Sequence, residues 1–231
     1  MGTMTSHATF SAVSALGPYF AVGTGTVPPA DHQPLGRLLA TGPDAPLAVR
    51  IAEVAAKLRT DEPRVAASIA HLGLAARFWS VTLGMLAVGG VVPDFGLAHG
   101  RQLPDGPLDL WLPAEAVRPV GASAADDVHR AAVTGALAPL AVAVRAVAPV
   151  ADGLLAGNAA SALVGTVRML QRQLPEPAHR QAAAVAGELL AREPLQGTLR
   201  ADSLRRNSCC LYYRVPGGGL CGDCAFDRAP R

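Results

Sequence analysis

Cysteine is missing from the first 208 residues of this 231-residue chain. A secreted disulfide scaffold is short and spreads its bridges along the sequence, so that class is excluded. Lysine is almost absent too: Lys57 is the only one, and every other basic residue apart from histidine is arginine. The formal net charge of +2 offers no electrostatic footprint for nucleic acid. Aromatic residues make up only 4% of the chain, so the core must be built from Ala, Leu and Val. That composition favours close-packed helices over a β-sandwich. Charged residues are only 16% and hydrophobic ones 50%, which excludes a disordered chain.

Several motifs are also missing. The six histidines (7, 32, 71, 99, 129 and 179) form no H-E-x-x-H and no close pair. There is no G-x-G-x-x-G after a strand and no G-x4-G-K-[ST], so nicotinamide, flavin and a phosphate-binding loop are not expected. The stretch from Met1 to Phe10 lacks a basic region followed by an apolar one, so no secretory signal is expected. Met1 to Ser6 fits a loose myristoylation pattern, too cheap a match to carry weight. Two stretches are apolar enough to raise a membrane span. His71 and Arg77 interrupt Val65–Val92; Arg145, Pro139 and Pro149 interrupt Ala131–Ala151. Buried core helices are the better reading, because a central arginine costs about 2.5–3.5 kcal/mol on insertion scales.

What is there reads as a mainly α protein. It is one helical domain over 1–200, followed by a cysteine-rich segment over 201–231. Helices are expected over 6–17, 46–58, from Asp61-Glu62-Pro63 to about Leu86, over 126–147 with a bend at Pro139, over 154–174 and over 177–192. Leu47, Ile51, Val54 and Leu58 recur at helical spacing, and Pro63 sits where a first helical turn tolerates it. A small β-hairpin is expected around 91–113, pairing Val91–Phe95 with Leu108–Leu112 across the Pro104-Asp105-Gly106 turn. Gly157 and Gly165 mark places where another backbone comes close. Asn158 reads as a helix cap. His71, Arg77 and Trp79 are candidate cleft residues; the plainer reading makes them a core histidine, a surface arginine and a core tryptophan.

All four cysteines, Cys209, Cys210, Cys221 and Cys224, fall within 16 residues as C-C-x10-C-x2-C. Four thiolates can bind one zinc tetrahedrally or hold a [2Fe–2S] cluster with two per iron. Structural zinc takes both its pairs at C-x2–4-C spacing. Neighbouring residues project in different directions, so Cys209 and Cys210 fit poorly as two corners of one small tetrahedron. The wider cluster is favoured; zinc and a redox-active dithiol stay open. Gly217, Gly218 and Gly219 let the loop wrap tightly and bring amides toward sulfur. Arg205, Arg206 and Arg214 would raise a cluster's potential and Asp223 would lower it; an ordinary solvated charge run explains the arginines equally well. Tyr212 and Tyr213 read as packing residues.

The segment from Cys209 to Cys224 resembles the C-terminal [2Fe–2S] module of the FhuF-like ferric-siderophore reductases, its actinobacterial branch in particular. Val65–Ser68, Gly73–Trp79 and Gly157–Leu163 resemble the same branch. The resemblance implies that Cys209, Cys210, Cys221 and Cys224 ligate the cluster. It also implies a cytoplasmic protein that reduces Fe(III) on an imported siderophore, often of hydroxamate type. An external electron donor would then be needed, and peripheral association with a membrane importer would be open. Two other readings are an electron carrier serving another enzyme and a zinc-stabilised binding module. The size of the helical domain favours a substrate-binding role over a carrier.

Overall fold

The structure, a computed structural model, describes residues 6–42 and 44–230. Most of the myristoylation-type match at the N-terminus lies outside them. The chain folds around two long helices, α4 (Pro63–Gly89) and α7 (Asp152–Gln173), which pack against each other along much of their length. Helix α4 is apolar on every side, so it can be stable only when surrounded. It is: α1 (Ser6–Ser14), α3 (Pro46–Leu58), α6 (Ala138–Val147) and α8 (Ala178–Leu190) all contact it. Pro63 opens α4 at its first turn, and Gly90 closes it in the left-handed region at φ 63°. Helices α2 (Leu35–Leu38) and α5 (Ala124–Val128) are single turns.

Among the described residues, three helical stretches are long and apolar enough to cross a membrane by length and composition: Pro63–Gly89, Ala124–Val147 and Asp152–Gln173. In α4, 67% of the apolar window is buried inside the protein, so its apolar surface is used by the core.

The mainly helical architecture agrees with the sequence reading, while the sheet pairs differently. Strand β2 (Val91–Pro93) does not pair with the segment around Leu110. It runs antiparallel to β5 (Val117–Pro119). The Pro104-Asp105-Gly106 turn does lie between paired strands, but they are β3 (His99–Arg101) and β4 (Asp109–Trp111), with β1 (Gln33–Pro34) on the other side of β3. Gly100 is what allows this. A β-carbon there would lie 2.9 Å from the Asp109 carbonyl and 3.1 Å from Leu38.

The stretch expected as one bent helix over 126–147 changes winding instead. It is α-helical to Val128, π-helical over His129–Leu137 and α-helical again from Ala138. Pro139 falls in the first turn of α6, where its missing N–H costs least.

Arg77 is not a surface residue. It is 1% exposed and donates to the carbonyls of Leu108 (2.7 Å), Tyr19 (2.6 Å) and Ala21. It thus ties the β4 approach and the α1–β1 loop to α4. Burial pulls its pKa down to about 10, so it stays charged at neutral pH. Trp79 is a core residue, as read, with its indole N–H on the Ala159 carbonyl of α7 at 2.9 Å.

Candidate metal centre

After α8 the chain runs without a long element to Pro230, turning back across the N-terminal third of α7. Small residues on α7 make room for it. A β-carbon at position 157 would sit 2.5 Å from Ser208 Oγ and 3.9 Å from its β-carbon, so glycine leaves room for the Ser208 hydroxyl where it lies. Ser208 then donates to the Gly153 carbonyl one turn earlier, at 2.9 Å. What comes close at Gly157 is thus a side chain rather than the backbone expected there, and at Gly165 a β-carbon would meet nothing within 4 Å.

Within the segment, Cys210 and Cys224 are buried, and Cys209 and Cys221 are partly exposed. The sulfurs of Cys210 and Cys221 are 3.5 Å apart, which brings together one member of each cysteine pair. Two thiolates about 2.3 Å from one tetrahedral metal lie about 3.8 Å apart, so this pair is spaced to share one. Among the described residues, no three of His, Cys, Asp and Glu close on a single-ion site.

The amides that reach the sulfurs come from two residues after a cysteine. Leu211 N–H points to Cys209 Sγ (3.2 Å) and Phe226 N–H to Cys224 Sγ (3.5 Å), while the Tyr212 amide helps to lower the Cys210 pKa. Leu211 adopts φ 69° to make this possible. Two of the three glycines, Gly217 and Gly218, serve the turn, while a β-carbon on Gly219 would meet nothing within 4 Å. Gly217 lies at φ 71°, and a β-carbon on Gly218 would be 2.8 Å from the Tyr212 carbonyl. Such N–H···S bonds stabilise negative charge on sulfur.

The three arginines named from sequence have three different fates. Arg214 is exposed and paired with Glu62 at 2.8 Å. Arg205 clasps the end of the segment, donating to the carbonyls of Cys224 (2.9 Å) and Phe226 (2.8 Å) and pairing with Asp227. Arg206 is 1% exposed and meets Asp223 at 3.0 Å. Its Nη1 donates to Asn158 Oδ1 at 2.6 Å. Asn158, read as a cap, is instead fully buried inside α7, with its amide N–H2 on the carbonyl and hydroxyl of Ser68 (2.9 and 3.2 Å). Ser68 in turn donates to the Cys210 carbonyl at 2.7 Å. Tyr213 packs edge-to-face on Phe226, while Tyr212 is 37% exposed.

These contacts tune the titrating groups. The hydrogen bond from Cys221 pulls Cys210 down to about 6 against the cost of burial, with help from Tyr212 N–H and Arg206. The same bond, with burial, pushes Cys221 up. Burial raises Cys209 against the Leu211 amide. Burial would also raise Asp223, but hydrogen bonds from Ser161 and Arg206 and the Arg206 charge hold it below the usual carboxylate range. His71, 1% exposed, is held neutral by burial and by Arg206, its pKa lowered to about 4, and its Nδ1 has no hydrogen-bond partner.

Two cavities border this network. One, of about 400 Å³, is a groove between the α1–β1 loop, α4 and α7; Tyr19, Ser80, Thr166 and Met169 line it. Ser161 lines it as well and stands close enough to Asp223 to help hold its pKa down, so the groove lies beside the C-x2-C loop. The other, of about 280 Å³, holds His71 in its lining, with Arg145 and Asp152.

No curated protein matches this chain. Residues 206–226 match the family model of the FhuF 2Fe-2S C-terminal domain. The match begins at the buried Arg206 and takes in all four cysteines. The cysteine segment belongs to the FhuF 2Fe-2S C-terminal domain family, and its cofactor is a [2Fe–2S] cluster.

Proposed function

We propose that this protein is a ferric-siderophore reductase in which Cys209, Cys210, Cys221 and Cys224 hold the cluster. The observation that carries the reading is the groove of about 400 Å³ whose wall residue Ser161 stands beside Asp223, between Cys221 and Cys224, and helps hold its pKa down. A substrate in that groove lies within a few residues of the ligands. When bound, the [2Fe–2S] group supplies single electrons. Residues 201–231 hold it, and the helical residues 1–200 hold the ferric complex.

One electron converts substrate Fe(III) to Fe(II), which hard oxygen ligands hold far less well, and the iron leaves. No proton need be moved by the protein, and the groove offers only hydroxyls as polar side chains besides apolar ones. Those walls suit a complex whose charge is already neutralised by its own ligands, as in the hydroxamate type. The electron comes from an external one-electron donor, reaching the cluster on the side where Cys209 and Cys221 are partly exposed. We place this chemistry in the cytoplasm, where an importer would deliver the complex.

The groove itself gives the test. Gly165 is exposed, lines the groove and has no atom within 4 Å of an added β-carbon. Gly165→Leu should fold, load its cluster and keep its potential, yet reduce a ferric trihydroxamate with a raised KM. An unchanged KM would remove the groove from the reading. Reduction of other proteins but of no ferric complex would favour the carrier function instead.

A further inference from the structure

The two halves of the cysteine motif are joined by a path that is buried from Ser68 to Arg206 and ends on the partly exposed Asp223. From the adjacent pair it runs from the Cys210 carbonyl to Ser68 Oγ (2.7 Å), and from Ser68 to Asn158 Nδ2 (2.9 Å to the carbonyl). It continues from Asn158 Oδ1 to Arg206 Nη1 (2.6 Å) and from Arg206 Nε to Asp223 Oδ2 (3.0 Å), within the C-x2-C. The Arg206 N–H also donates to the Asp223 carbonyl at 3.0 Å. Ser68 and Asn158 are fully buried and Arg206 is 1% exposed.

The chemistry of the path fixes its direction. A guanidinium can only donate, so Asn158 must present its oxygen to Arg206 and its N–H2 to Ser68. A buried charge is far less screened than an exposed one. Arg205 and Arg214, in contrast, are partly or fully solvated and spent on Asp227 and Glu62. Of the three arginines beside the cysteines, Arg206 alone couples to the cluster site through low dielectric.

We infer that Arg206, oriented by Asn158 and Ser68, is the positioning residue that sets the reduction potential of the [2Fe–2S] group and holds the two cysteine pairs in one frame. The fixed positive charge favours the more negative, reduced state of the group. Without it, Asp223 would be left as an uncompensated negative charge inside the C-x2-C. The inference rests on the four cysteines holding the cluster and is independent of the substrate.

The test uses the full chain with its cluster, in a redox titration followed by EPR. The wild type is measured first, then Arg206→Gln, Arg206→Lys, Asn158→Asp and the exposed control Arg228→Gln. At a fixed ambient potential, Arg206→Gln should lower the reduced-to-oxidised ratio by about tenfold or more. Asn158→Asp, which keeps the acceptor for Arg206 but adds a negative charge and loses the donor to Ser68, should lower it too. Arg206→Lys should recover most of the ratio while altering the EPR line shape, and Arg228→Gln should match the wild type. Equal ratios for Arg206→Gln and Arg228→Gln would overturn the inference. So would Arg206→Lys falling as far as Arg206→Gln, or loss of helical circular dichroism in all three core variants, which would make the path purely structural. A wild type without a reduced-cluster signal would overturn the cluster assignment itself, and is recognised before any variant is compared.

Discussion

Ser208 Oγ lies 2.5 Å from the point that a β-carbon on residue 157 would occupy. The Ser208 hydroxyl that pins the cysteine segment to Gly153 therefore fills the space a side chain on residue 157 would take. Gly157→Ala should turn that hydroxyl off its bond to Gly153, costing about 0.5–1.5 kcal/mol, the net worth of one such bond. Circular dichroism should stay helical, while iron per chain falls or cluster loss speeds up. Full cluster occupancy with unchanged lifetime in Gly157→Ala would show that the seat adjusts freely.

Arg77 makes a different kind of prediction, about the fold alone. It bonds three carbonyls from two loops while buried. Arg77→Met should leave the carbonyls of Leu108, Tyr19 and Ala21 without their donor and destabilise the fold, at about 1–3 kcal/mol for each buried carbonyl left unpaired. Urea denaturation reads this directly. The EPR spectrum of the remaining folded protein should not move, because Arg77 has no part in the path from Ser68 to Asp223.

His71 gives the protein a pH dependence of predictable sign. Its ordinary pKa of 6.5 falls to about 4 in the folded chain, through burial first and Arg206 second. Between those values the unfolded chain binds a proton that the folded chain does not. Stability is therefore complete above about pH 6.5 and is lost as pH falls toward 4, by up to about 3 kcal/mol. His71→Leu should flatten the denaturation midpoint between pH 6.5 and 4. If the midpoints of wild type and variant fall in parallel there, His71 is not the cause.

The 3.5 Å between the Cys210 and Cys221 sulfurs predicts which thiols meet first in the cluster-free chain. Cys210, pulled down to about 6, is largely thiolate at neutral pH and is the nucleophile in exchange. Mild oxidation after cluster removal should give a Cys210–Cys221 disulfide ahead of any bridge within the C-x2-C. Peptide mapping decides it; a first-formed Cys221–Cys224 bridge would contradict the geometry.

How legible all this was depends on distance along the chain. Cys209, Cys210, Cys221 and Cys224 are close in sequence, and their spacing alone favoured a two-iron group. The helices were legible because long apolar runs such as Pro63–Gly89 carry their own caps. The strands were not: β2 and β5 are three residues each, and Val117-Arg118-Pro119 shows no alternation to match with Val91–Pro93. The π-helical winding of His129–Leu137 leaves no mark in composition. The site's second layer was hidden for another reason. Asn158 meets Arg206 across 48 residues and Ser68 across 90, so each looked like an ordinary helix or loop residue until the fold brought them together. Asn158 and Ser68, polar residues set among alanines on α7 and α4, were the available hint.

The most direct measurement is an anaerobic single turnover. Reduced protein is mixed with one equivalent of a ferric trihydroxamate, while EPR follows the cluster and a ferrous chelator follows the iron. The account predicts that the reduced-cluster signal disappears as one Fe(II) is trapped per cluster oxidised. A signal that persists with the ferric complex intact would contradict it.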